Sequence, residues 1–348
     1  MRVSVALALS LFLPLCPAGM CAAQEVESST APAPIFEFHS GFWVNLHHFL
    51  YLQGRTQRTG LQGAPAESQI PPGYQALGST GGMTPEQQDM WQAAVNVYAV
   101  SWSTRDLLLN NQMVLINDRL AELEDCPDLV GRSATECTSG ITKDLVTTLD
   151  DAAPIYRRRW WAEQDRMNRA WIAVMIPLVR SRGAQLAEDL AEIYQSKWPA
   201  RIHVDVVYYA GQQGAYTSLG PLHLTIAASD KRNQNMAGFE ALFYEASHVL
   251  AGGVEEAIER ECRRLQKPIP RDLWNALLLY TARERIRRDF RAPATTNATS
   301  SSLSPVDPNR LNDRGWGDYE LPLERYWQPY LNGQIDLDTA IAHLINSI

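Results

Sequence analysis

"EALFYEASHVL", residues 240–250, decides how the rest of the chain is read. On an α-helix, Glu240, Tyr244 and His248 recur every four residues and share a face, with Glu245 beside the stripe. Imidazole nitrogen and carboxylate oxygen are ordinary ligands of divalent metals, and a second carboxylate can take a proton from metal-bound water. His248 is therefore a candidate ligand and Glu245 a candidate base. The same residues also fit a polar cluster that packs one helix against another.

Upstream, "RIHVDVVYYAG" (201–211) alternates β-branched and polar residues, "GQQGAY" is turn-forming, and "LHLTIAAS" (222–229) is a second strand-like run. Downstream, Gly252 and Gly253 break the helical stretch that holds the motif. Pro268 and Pro270 then bound the helix "RDLWNALLLYTARERIRRDF", residues 271–290. In the N-terminal half, "HSGFWVNLHHFLYLQ" places Phe42, Leu46, Phe49 and Leu50 on one helix face, and Gln53–Gly82 reads as a long loop. Thr84 followed by Pro85 marks a helix start, the run near Val100 suits a break, and a further helical block opens near Pro154 with a kink or boundary at Pro177. "DLDTAIAHLINSI" closes the chain as a helix. The expected fold is α+β and predominantly helical, with a small antiparallel or mixed sheet preceding a pair of helices. Residues 24–199 form the mainly helical region, and 200–348 the α+β region packed with it as one unit.

The chain has 348 residues, 45% of them apolar, enough for a substantial core, and a formal charge of −8 that offers nucleic acid no broad attraction. "MRVSVALALSLFLPLCPAGMCAAQ" carries one early positive charge, an apolar run and small residues near Ala23, so residues 1–23 read as a signal peptide and the mature chain as secreted or periplasmic. Met20 is bulkier than a lipidation site at Cys21 prefers, which disfavours a lipid-anchored form. No later run is apolar for the roughly 20 residues that crossing a bilayer needs. Cleavage leaves Cys126, Cys137 and Cys262, and the spacing of the first two suits a local disulfide.

Tyr244, Glu245, Ala246, Ser247 and His248 resemble the zinc-binding helix of the zincin metallopeptidases, in particular the gluzincin branch, whose pattern is His-Glu-x-x-His with a Glu ligand on a later helix. Tyr244 stands in the place of the first His. The resemblance implies Glu245 as general base, His248 as ligand, Glu284 as later-helix ligand, and a bound Zn2+ if the site is intact. The strand run before the motif is placed like the substrate-lining strand of that family. Tyr244 or Tyr280 would then donate a hydrogen bond to the developing oxyanion.

Two protein ligands are too few for a tightly held catalytic zinc. The missing one can come from His47 or His48, which point in different directions on a helix; His47 is preferred. His203 and Asp205 share one side of a predicted strand, with His223 on the strand before the motif. Two functions stay open: an exported metal-dependent peptidase, or a noncatalytic relative that binds peptide or protein in an aromatic cleft. Phosphate-binding glycine loops, dinucleotide fingerprints and serine elbows are not found in the sequence.

Overall fold

The computed structural model describes residues 35–61, 82–124, 126–129, 140–291 and 310–348. Its centre is a four-stranded mixed sheet built from β1 (Phe36–His39), β2 (Ile202–Val207), β3 (Ala215–Leu219) and β4 (Leu222–Ala227), in the order β1-β2-β4-β3. Strand β2 runs parallel to both β1 and β4, and only β3 and β4 pair as an antiparallel hairpin. The α+β, mainly helical fold expected from the sequence is present. Strand β1 is an addition, since "FEF" reads in sequence as the lead into a helix. It joins the sheet next to β2, more than 160 positions later, where Phe36 pairs with Ile202 and His39 with Asp205.

Side-chain alternation gives the sheet two unlike faces. Phe36, Val204, Ala215, Leu224 and Ile226 enter one apolar core. His39, His203, Asp205, Tyr216, His223 and Thr225 lie on the other face by the same alternation, where Tyr216, Val207 and Ala227 meet a second core.

Helices α1 (Phe42–Leu61), α2 (Pro85–Val97), α3 (Asn111–Glu122) and α4 (Lys143–Tyr156) build the core over the polar face, around Trp43, Phe49, Trp91 and Trp160. Helices α5 (Ala162–Leu178), α6 (Ala184–Ile193), α7 (Asn235–Ser247), α8 (Gly252–Leu265), α9 (Leu273–Arg291) and α10 (Leu337–Ser347) build the core over the apolar face. The described residues form one compact unit. Among them no helix is long and apolar enough to cross a membrane. Trp43, Trp102, Trp160 and Trp327 are buried in these cores, so much of the tryptophan content is packing rather than a recognition surface.

Local signals explain several helix starts. Thr84 caps α2 in a capping box with Gln87, with Pro85 in the first turn. Asn110 caps α3 by accepting from the Met113 amide. The prolines act differently from the sequence expectation: Pro154 lies inside α4 and Pro177 inside α5. Each is followed by a π-helical turn, Arg157–Trp161 and Val179–Gly183, and the chain then continues as helix. Proline removes an amide donor and crowds the preceding turn, yet neither proline ends its helical run here.

Helix α1 also runs further than expected, taking residues 53–61 from the predicted loop; positions 62–81 lie outside the described residues. Gly54, which falls within that predicted loop, marks a close approach. A Cβ there would stand 2.7 Å from the backbone nitrogen of Ala99, in the π turn Tyr98–Trp102 that follows α2. The signal-peptide segment and Cys137 of the expected disulfide also fall outside the described residues, whereas Cys126 is described and buried.

At an unobstructed helical site Gly→Ala stabilises by about 1 kcal/mol. Gly54→Ala should instead destabilise by about 1–3 kcal/mol, since two backbones must separate. Urea denaturation measures this, and an unchanged or raised midpoint would refute the close contact.

Candidate metal centre

The residues singled out in "EALFYEASHVL" lie in α7 and at its end, on the apolar side of the sheet. Glu245 is buried, and its Oε2 accepts from Thr217 Oγ1 at 2.9 Å. His248 follows the last residue of α7, with Nδ1 donating to the Glu245 carbonyl at 2.9 Å and Nε2 3.0 Å from the Asn275 amide oxygen. The Tyr244 hydroxyl donates to the same oxygen at 3.2 Å, and its ring lies under the Arg314 guanidinium. Both nitrogens of His248 are thus engaged by helix-packing partners. Nine residues of α9 separate Asn275 from Glu284, about 13 Å along the axis. Glu284 sits there among arginines, accepting from Arg287 at 2.8 Å and lying 3.6 Å from Arg283 Nε. Tyr280 donates to Gln328 at 3.0 Å. The structure brings Glu245 and His248 together and leaves Glu284 and Tyr280 in other contacts.

His47 and His48 lie on the opposite side of the sheet from His248. Both are buried on α1 rather than facing solvent. His48 donates from Nδ1 to the Val44 carbonyl and accepts at Nε2 from the Tyr216 hydroxyl, each at 2.8 Å. His47 Nδ1 is 2.8 Å from the Tyr98 hydroxyl. The sheet separates this pair from α7, so neither histidine restores the ligand missing at Tyr244. Burial pushes the pKa of His48 down to about 4 and that of His47 well below its ordinary value.

Among the described residues, one group of histidine and carboxylate side chains is close enough to hold a metal ion: His203, Asp205 and His223, whose ligand atoms all lie within 4.8 Å of one another. Their convergence follows from strand geometry. His203 and Asp205 are two apart on β2 and so share its polar side, and the parallel register sets His203 opposite His223 on β4. Asp205 accepts from His203 Nε2 at 3.2 Å and from His223 Nε2 at 2.7 Å. Behind His223, Asp118 of α3 accepts from Nδ1 at 3.0 Å. Its neighbour Asn117 donates to Thr225 at 3.3 Å, holding α3 to the same face.

The cluster is graded from wet to dry. Asp205, His223 and Asp118 are buried, whereas the His203 side chain keeps 31% of its exposure. The His39 ring stacks on His203 at 4.1 Å, and its Nδ1 pairs with Glu124 at 2.7 Å. That hydrogen bond raises the pKa of His39. Burial opposes charge on His223, but hydrogen bonds to Asp118 and Asp205 and their negative charge outweigh it and raise its pKa to about 9. Burial likewise acts to raise Asp205, and the two imidazoles more than reverse this, holding the carboxyl well below the usual carboxylate range.

Comparison with protein-family models, curated proteins and solved structures finds no match for the chain. Sequence reasoning had the alternation of His203 and Asp205 and the position of His223 on a strand. It lacked the parallel pairing that joins them, and it missed Asp118, which sits in a helix with no local mark of a site.

The buried histidines on α1 predict an acid-sensitive fold. The folded pKa of His48 is about 4 against an ordinary 6.5. Its contribution to stability is therefore complete above pH 6.5 and is lost as pH falls toward 4, at about 1.4 kcal/mol per pH unit. His48→Gln should lower the slope of unfolding free energy against pH in that window by about one proton. Urea titrations at several pH values measure it, and an unaltered slope would show that His48 is not held neutral.

Proposed function

We propose that this chain is a divalent-metal protein whose centre is His203, Asp205 and His223, and that the centre serves hydrolysis by metal-activated water. The observation that supports this is the convergence of two imidazoles and one carboxylate on a sheet face, with a buried carboxylate behind one imidazole.

Zinc ligands at about 2.1 Å in tetrahedral array stand about 3.4 Å apart. The contacts of 2.7 and 3.2 Å, and the 4.8 Å within which all three ligand atoms fall, bracket that spacing. Charge also fits. Asp205 and Asp118 bring two buried negative charges, which need compensation inside a protein. One divalent ion supplies it. Imidazole and carboxylate together favour zinc and its transition-metal neighbours over calcium or magnesium. Three protein ligands leave a coordination position for water, as in catalytic rather than structural sites. A bound ion would supply Lewis acidity and a water of lowered pKa. His39 and Glu124 stand on the exposed side of His203, where substrate would approach. An extracytoplasmic peptide or protein is the first substrate class to test.

A second reading is a metal-free charge cluster that staples α3 to the sheet, favoured by the 2.7 Å contact between Asp205 and His223. Equilibrium dialysis against Zn(II) with elemental analysis separates the two. The proposal expects one ion per chain, loss of binding in His223→Ala and Asp205→Ala, and unchanged binding in His248→Ala and Glu284→Gln. Failure of the wild type to retain zinc, or retention by both centre variants, supports the charge cluster instead.

A further inference from the structure

Taking the metal reading above as its basis, we infer that Asp118 is a positioning residue for the centre: it holds His223 with Nδ1 protonated, so that Nε2 is the nitrogen presented to the ion. Asp118 arrives from α3, on a different element from all three ligands, and meets His223 at 3.0 Å in a site where both side chains are buried. The imidazole is thus gripped at its two ends, by Asp118 at Nδ1 and by Asp205 at Nε2. An ion at the cluster takes the place of the proton between Nε2 and Asp205 and leaves the Nδ1 contact intact. A carboxylate accepting from the far nitrogen fixes the tautomer and ring orientation of a ligating histidine and raises its basicity.

Two further observations set Asp118 apart from an ordinary ion-pair partner. Its second oxygen, Oδ2, is buried without a hydrogen-bond partner among the described residues, so much of what this carboxylate does in the fold is its contact with His223. His203, in contrast, is partly exposed, and among the described residues its hydrogen bond is to Asp205. The two histidines are therefore unequal: His223 is the fixed ligand and His203 the adjustable one on the open side. Adjacent Asn117, bonded to Thr225, fixes the height of α3 above the strand, so that the carboxylate stands level with His223.

The test uses the full chain with Zn(II) alone as probe. Asp118→Asn keeps the shape and an acceptor oxygen but removes the charge, and should weaken Zn(II) by about 10- to 100-fold. The Nδ1 proton of His223 should give a downfield resonance in the zinc-loaded wild type that moves upfield in Asp118→Asn. A purely structural role for Asp118 would not produce that movement while the His203 signals stay in place. Asp118→Ala, which removes the acceptor, should lose more affinity; if it does not fold, the isosteric Asn variant decides. Wild-type zinc binding with unchanged affinity and an unmoved resonance in Asp118→Asn overturns this inference and leaves the metal reading standing. Absence of zinc binding in the wild type overturns the metal reading, and this inference with it.

Discussion

The parallel register between β2 and β4, which sets His203 opposite His223, is the constraint on which the rest of the structure depends. A slip of one residue would turn His223 toward the apolar core and bring Leu222 or Leu224 to the polar face. The same slip would strand Asp118, whose contact with His223 ties α3 to the sheet. Burial makes the register strict, because one face is packed against Trp171, Phe239 and Phe243 and tolerates no imidazole.

Other polar contacts hold this arrangement at its edges. The Asn45 side chain donates to the Gly41 carbonyl at 2.8 Å and accepts from the Tyr208 amide at 3.0 Å and from Asn168 at 3.1 Å. It therefore joins the start of α1, the end of β2 and the middle of α5. Such a fully used amide fixes three elements in a buried position where an unpaired group would be costly. On the hairpin side, Gly214 adopts a positive φ of 74° at a point where a Cβ would meet Asp230 Oδ2 at 2.4 Å. That turn fits only glycine, and it delivers β3 to the sheet edge where Tyr216 reaches His48.

Much of the secondary structure was legible from short-range pattern. Alternation in "RIHVDVV" and "LHLTIA", the cap at Thr84 and the apolar stripe of α9 are local properties, and the strands and helices stand where those patterns put them. What was illegible is nonlocal. Nothing in "FEFH" states that it pairs with a strand that begins at residue 202, and periodicity cannot distinguish a parallel from an antiparallel partner. The candidate site divides in the same way. His248 and Glu245 are close in sequence, yet His248 is absorbed by Asn275 and Glu245 by Thr217. His223 and Asp118 are 105 positions apart and come together only through the fold. Glu284 shows the reverse: it stands on the later helix, and its neighbouring arginines, visible in "RERIRR", explain where its charge goes.

The central proposal is that the polar face of the sheet holds a cation at His203, Asp205 and His223. Anomalous diffraction from crystals of the full chain grown with Zn(II), collected on both sides of the zinc absorption edge, addresses it directly. A cation held there predicts a peak bonded to Nε2 of His203, Nε2 of His223 and a carboxylate oxygen of Asp205, with Asp118 still at Nδ1 of His223. A peak at His248 and Glu284 instead, or density in which Asp205 still bonds directly to both imidazoles with no anomalous signal between them, would contradict it.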